Sequence, residues 1–114
     1  ASMEDSGKFE QHLEVNPGCV DLWMGGHTHT FPEDCHGGKS HLEKAWGGTT
    51  FLNVAALTKH HVSNTTVPMS RLLTFTPGSD ELRVQCYLHT SDHAPQGWYE
   101  PAERVVKLSR PFAL

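Results

Sequence analysis

The alternation of apolar and polar positions is clearest between residues 71 and 88. Residues 71–76 and 82–88 are both rich in apolar or β-branched side chains, and Pro77-Gly78-Ser79-Asp80 separates them. A period of two on either side of a Pro-Gly turn predicts an antiparallel β-hairpin with one buried and one wet face. The side chains expected on the buried face of the second strand are Leu82, Val84, Cys86 and Leu88.

A helix and a buried strand are predicted before this hairpin. Phe9 and Leu13 lie four positions apart within residues 2–15, and Asn16-Pro17-Gly18 should end the helix because proline disfavours helical geometry in the residue before it. Residues 20–24 form a short apolar run without alternation. Such a run is typical of a strand covered on both faces, as in a parallel sheet.

The other segments are less regular. Residues 27–48 show no period and are rich in glycine, which indicates a long loop of functional rather than structural purpose. Residues 49–57 read as a strand running into a loop, and the tail beyond residue 96 as irregular chain lying against a sheet. The order of helix, buried strand, loop, strand and hairpin predicts an α/β (α+β) fold that resembles half of a layered sandwich.

Composition restricts the classes of function. A chain of 114 residues allows one small domain, and its net charge of −4 gives no electrostatic reason to expect a nucleic-acid partner. No apolar run is long enough to span a membrane. Three cysteines cannot all be paired, so a reducing compartment such as the cytoplasm is favoured. Ala1-Ser2-Met3 is typical of residues left by an expression vector.

Histidine is abundant, with nine residues in the chain, and two of them stand in a meaningful context. The segment Gly25-Gly26-His27-Thr28-His29 follows directly on the predicted buried strand. Side chains at i and i+2 of an extended chain point the same way, and the carboxyl ends of strands are where open α/β sheets bind ligands. Neutral imidazole is a common metal ligand, so His27 and His29 are the candidate metal ligands.

The segment from residue 20 to His29 resembles the last conserved block of the calcineurin-like metallophosphoesterases, G-H-x-H after an apolar strand. The resemblance implies that His27 ligates one ion and His29 the other ion of a dinuclear centre containing Mn, Fe or Zn. It also implies a C-terminal half of a metallophosphoesterase-type β-sandwich flanked by helices, with the antiparallel hairpin at about 71–88. The parent enzyme would hydrolyse phosphate mono- or diesters. Possible contacts to the substrate or within the loop are Gly26, Thr28, Asp34 and His36.

The other blocks of that family are D-x-H, G-D and G-N-H, and none of them precedes Gly25 in this chain. We therefore expect the chain to be a single C-terminal fragment that is inactive alone. Its expected partners are a phosphoester substrate, the missing N-terminal half of the same domain and, through an unpaired strand edge, further copies of itself.

Two different kinds of function remain as alternatives. Cys35 and His36 follow the motif closely, so with His27 and His29 they could form a structural zinc site, although the spacing differs from common zinc motifs. The histidine-rich loop could also bind a partner protein without metal. Among the remaining residues, His12 is expected to be an exposed helical histidine, His60-His61 a surface pair, and the three tryptophans packing residues.

Overall fold

The structure is a computed structural model that describes residues 6–26, 42–54, 68–89 and 96–114. Within these ranges it is a mixed α+β fold with one α-helix and two β-sheets, as the sequence predicts at this level. The elements are α1 (Ser6–Val15), β1 (Leu22–Gly25), β2 (Leu42–Ala45), β3 (Thr49–Asn53), β4 (Met69–Phe75), β5 (Glu81–Leu88), β6 (Gly97–Trp98), a 3-10 turn (Glu100–Ala102) and β7 (Arg104–Lys107).

Helix α1 lies against one face of the first sheet. Leu13 is buried, and the ring of Phe9 packs 4.8 Å from that of Trp23 in β1. The helix ends as predicted, since the backbone N–H and the side-chain amide of Asn16 both donate to the carbonyl of His12 before Pro17. The helix is therefore confirmed from Ser6 onward, while residues 2–5 lie outside the described residues.

The first sheet has the strand order β1-β3-β2. Strand β1 pairs with β3 in parallel, which confirms the predicted strand and the parallel pairing. The expectation that β1 is covered on both faces is wrong for the described part of the chain. Trp23 is 49% exposed and Met24 is 53% exposed, because β1 lies at the edge of the sheet there.

Strand β2 shows that the prediction of one loop over residues 27–48 is wrong for the described residues 42–48. Residues Leu42–Ala45 pair antiparallel with β3 through a turn at Trp46-Gly47-Gly48. The two glycines adopt φ angles of 75° and 82°. Most side chains avoid this region of backbone conformation, so the glycine pair that suggested a loop is the turn of a second hairpin.

The second sheet contains the predicted hairpin. Strands β4 and β5 pair antiparallel from Met69 opposite Leu88 to Phe75 opposite Leu82. The four side chains expected on the buried face of β5 are all at most 1% exposed. The hairpin and its inward-facing set are therefore confirmed.

The tail is more regular than predicted. Strands β6 and β7 both pair antiparallel with β5, on the side opposite β4. Each is four residues or shorter, and Pro101 lies in the 3-10 turn between them, so no alternating pattern is long enough to recognise. The tail is thus an integral part of the second sheet.

The two sheets pack face to face through their apolar residues. Leu52 of β3 meets Leu82 and Val84 of β5 in one buried cluster. A second cluster lies beneath the other end of β5 and contains Met69, Cys86, Leu88 and Ala102. The first sheet is consequently the middle layer, with α1 on one face and the second sheet on the other.

The tryptophans fulfil the packing prediction only in part. Each makes an aromatic contact: Trp23 with Phe9, Trp46 with Phe51 and Trp98 with Tyr87. Trp98, however, is 56% exposed, on the outer face of the second sheet. Trp23 and Trp98 therefore make their aromatic contacts at the protein surface and not in the core.

Candidate functional site

The predicted site begins where β1 ends. Gly25 is the last residue of β1 and Gly26 follows it, and both are exposed. The other predicted site residues lie outside the described residues: His27, Thr28, His29, Asp34 and His36. The same is true of Cys35, His60 and His61. Whether the two imidazoles meet therefore stays a prediction.

The scaffold that carries the motif is well defined. Gly25 lies opposite Asn53 in the parallel register, and the N–H of Val54 donates to the carbonyl of Gly25 at 3.0 Å. Leu42, the first residue of β2, lies opposite Leu52. The carboxyl ends of β1 and β3 and the amino end of β2 thus lie at the same end of the first sheet. The G-H-x-H segment begins at this end.

The opposite end of β1 is held by specific hydrogen bonds. The Thr49 hydroxyl donates to the carbonyl of Val20 at 2.7 Å, and the N–H of Thr50 donates to the carbonyl of Asp21 at 2.9 Å. The Asp21 carboxylate accepts bonds from the N–H and the hydroxyl of Ser109, at 2.8 and 3.0 Å. These bonds fix the direction in which β1 approaches the motif.

Glycine has different roles at the two ends of the first sheet. Among the described residues, a Cβ atom added at Gly25 would meet nothing within 4 Å. A Cβ atom at Gly47 would collide with the carbonyl oxygen of Leu13. Gly47 is therefore required for close packing of the β2–β3 turn on α1, whereas Gly25 leaves room beside the strand end.

Two histidines outside the motif can be placed. His12 is exposed on α1, which confirms the prediction for it. His89 is exposed just after β5, and its Nε2 lies 2.6 Å from the Ser70 hydroxyl oxygen. Its ring centroid is 5.2 Å from that of Tyr87. His89 is thus bound to the second sheet by local contacts.

Arg71 is a half-buried arginine that the sequence pattern did not single out. Arg71 lies opposite Cys86 in the β4–β5 register, on the face that packs into the core. Burial lowers the pKa of the Arg71 guanidinium and raises the pKa of the Cys86 thiol. The alternation of Met69, Arg71 and Leu73 along β4 was the available signal, because period two places all three on one face.

Among the residues that the structure describes, no three His, Cys, Asp or Glu side chains are grouped so that they could hold a metal ion. None of the described helices is long and apolar enough to cross a membrane. Comparison with protein-family models, with curated proteins and with solved structures gives no match for this chain.

Proposed function

We propose that this chain is the C-terminal portion of a metal-dependent phosphoesterase that hydrolyses phosphate mono- or diesters with two divalent ions, Mn, Fe or Zn. His27 would bind one ion and His29 the other. The observation that carries the proposal is the position of the motif, directly after the carboxyl end of a strand in a parallel pair. Ligands of open α/β sheets bind at the carboxyl ends of the strands.

Two further features support the proposal. The order of layers, with a helix on one face of the first sheet and a second sheet on the other, agrees with half of a flanked β-sandwich. The open space around Gly25 leaves room for a ligand or a companion segment at the strand end.

The chemistry assigned to the chain is the supply of neutral imidazole donors. Two divalent ions about 3.5–4 Å apart can lower the pKa of a bridging water and stabilise both oxygens of an in-line displacement at phosphorus. Two imidazoles fill only a small part of the two coordination shells. The remaining ligands must come from outside the motif, and Asp34-Cys35-His36, the one D-x-H sequence present, follows G-H-x-H instead of preceding it.

The proposal predicts weak metal binding and no hydrolysis by the 114-residue chain alone. We would titrate Mn²⁺ and Zn²⁺ into the protein by calorimetry and assay hydrolysis of a nitrophenyl phosphodiester in parallel. His27→Ala and His29→Ala should each weaken metal binding. His12→Ala is the matched control, because His12 is exposed on α1 and should leave binding unchanged.

Other results would favour the alternatives. Tight, stoichiometric zinc binding coupled to cooperative folding would show a structural zinc site. Binding that His27→Ala and His29→Ala leave intact would exclude these residues as ligands. Turnover that disappears in His27→Ala would show that the chain is a complete catalyst, contrary to the proposal.

A further inference from the structure

Strand β1 lacks the alternation that usually sets the register of a strand. Leu22, Trp23 and Met24 are all apolar, so apolar side chains point to both faces of β1. A slip of one residue moves every side chain to the opposite face, and alternation of apolar and polar residues is what makes such a slip costly. In β1 a slip would exchange one apolar side chain for another. The side chains of β1 therefore specify its register against β3 only weakly.

Hydrogen bonds at the amino end of β1 can specify the register instead. The Asp21 carboxylate accepts bonds from the N–H and the hydroxyl of Ser109, at 2.8 and 3.0 Å. The Thr49 hydroxyl and the Thr50 N–H also bond to this end, but their acceptors are backbone carbonyls, which recur along the strand. A slip of one residue would carry the Asp21 carboxylate about 3.3 Å along the strand, beyond the reach of Ser109. The bonds to Ser109 are therefore specific to one register.

Ser109 is itself held in place by the second sheet. The N–H of Leu108 donates to the carbonyl of Asp80 at 2.7 Å, and the N–H of Phe112 donates to the carbonyl of Ser79 at 2.8 Å. Both acceptors lie in the turn between β4 and β5. The residues on either side of Ser109 are thus bonded to this turn. Strand β1 is consequently attached to a fixed point of the second sheet.

We propose that the hydrogen bonds between Asp21 and Ser109 set the register of β1 and thereby position the G-H-x-H segment for metal binding. A slip of one residue would move the start of this segment by about 3.3 Å and turn the side chains of β1 to the other face of the sheet. Asp21 and Ser109 are positioning residues, because they act through the strand. Their effect on metal binding rests on the proposed function, whereas their effect on the register does not.

Nuclear magnetic resonance of the 114-residue protein tests the register directly. The parent protein should show one set of β1 amide signals, with contacts between Met24 and Leu52, which lie opposite each other. Asp21→Ala and Ser109→Ala should each add a second set of signals, from molecules in a shifted register. Ser109→Thr keeps the hydroxyl donor and should show the single set of the parent protein.

Zinc affinity, measured by calorimetry, is the second readout. The apparent Kd rises in inverse proportion to the fraction of molecules in the native register, so a fraction of about one tenth weakens binding about tenfold. Asp21→Ala should weaken binding by the factor that its amide signals predict. Arg83→Ala is the matched control, because it removes an ion pair with Glu103 at 2.7 Å within the second sheet. It should leave both the register and the zinc affinity unchanged.

The outcomes separate this proposal from the proposed function. A single set of β1 signals with the parent contacts in both Asp21→Ala and Ser109→Ala would overturn the role in register, and so would a second set in Arg83→Ala. If circular dichroism shows that Asp21→Ala does not fold, Ser109→Ala decides, because it keeps the backbone N–H donor. A parent protein that binds no zinc through His27 and His29 would contradict the proposed function, while the β1 signals would still test the register.

Discussion

Two residues on the inner face of β4 and β5 show what the sequence pattern predicts about burial and what it does not. Cys86 was predicted as a small core residue and is 1% exposed, with its Sγ atom 3.8 Å from the sulfur of Met69. Arg71 faces the same interior, although a charged side chain is rarely placed there. Periodicity predicts which face a residue occupies, and residue type alone predicts this less well.

The buried thiol predicts a pH dependence of stability. Burial raises the pKa of Cys86 in the folded state above its unfolded value of about 8.5. The stability contributed by the neutral thiol is therefore complete below that pH and is lost as the pH rises through the folded-state pKa. Urea unfolding between about pH 7.5 and 10 should show this loss, and Cys86→Ala should reduce its slope.

Cys19 provides the control for this experiment, because it is exposed. The slope measured for Cys19→Ala is the reference with which the slope for Cys86→Ala is compared. A thiol reagent at pH 8 should also modify Cys19 much faster than Cys86. Equal slopes for Cys86→Ala and the parent protein would show that ionisation of this thiol does not oppose folding.

At the level of elements, predictability follows the length of the pattern. The β4–β5 hairpin was found because its strands have seven and eight residues with clear alternation on β5. Strand β2 has only four residues, Leu-Glu-Lys-Ala, and its pairing with β3 depends on the Gly47-Gly48 turn. Pairing of β1 with β3 is set by contacts distant in sequence, which local propensity does not encode.

The turn between β2 and β3 offers a direct test of backbone packing. Gly47 and Gly48 both have positive φ, so alanine strains the backbone at either position by about 1–2 kcal/mol. Only at Gly47 does the added Cβ also collide with the carbonyl oxygen of Leu13 in α1. Gly47→Ala should therefore lower the free energy of unfolding clearly more than Gly48→Ala, as measured by urea unfolding.

Gly48→Ala isolates the conformational part of this effect, because its Cβ would meet nothing within 4 Å. The difference between the two variants then reports the contact between the turn and the end of α1. Equal losses of stability in Gly47→Ala and Gly48→Ala would mean that α1 shifts easily. The turn would then not fix the position of α1.

At the scale of the whole molecule, the C-terminal tail connects the sheets. Ser109 binds Asp21 next to β1, and the Lys44 ammonium of β2 donates to the carbonyl of Lys107 at 2.7 Å. Lys107 in turn forms an ion pair with Asp80 at 2.9 Å, which raises the pKa of Lys107. These links are not predictable from the sequence pattern, because they join residues far apart in the chain.

The contact between the sheets should dominate the stability of the fold. Leu82 is fully buried between the sheets, so Leu82→Ala should cost about 2–5 kcal/mol in the free energy of unfolding. Leu72 is 47% exposed on the outer face, and Leu72→Ala should cost less than about 1 kcal/mol. Similar costs measured by urea unfolding would indicate that the sheets are not held together by this cluster.

The strand that ends at the G-H-x-H segment was predictable from the sequence, whereas the geometry of the candidate site was not. The apolar run and the glycine pair correctly placed the motif at the end of a strand in a parallel pair. His27 and His29 lie outside the described residues, so the arrangement of their side chains stays a prediction. Metal titration is therefore the experiment that decides the site.

The positions of the strand ends in the first sheet have a consequence for the length of the connection formed by residues 27–41. Met24 of β1 and Leu42 of β2 both lie opposite Leu52, one on each side of it. The two strand ends that this segment connects are therefore about two strand spacings apart, roughly 10 Å. Doubling the length of a connection between such ends costs only about 0.6 kcal/mol in closure entropy. A longer or shorter connection between these two strand ends should therefore change the free energy of folding only slightly.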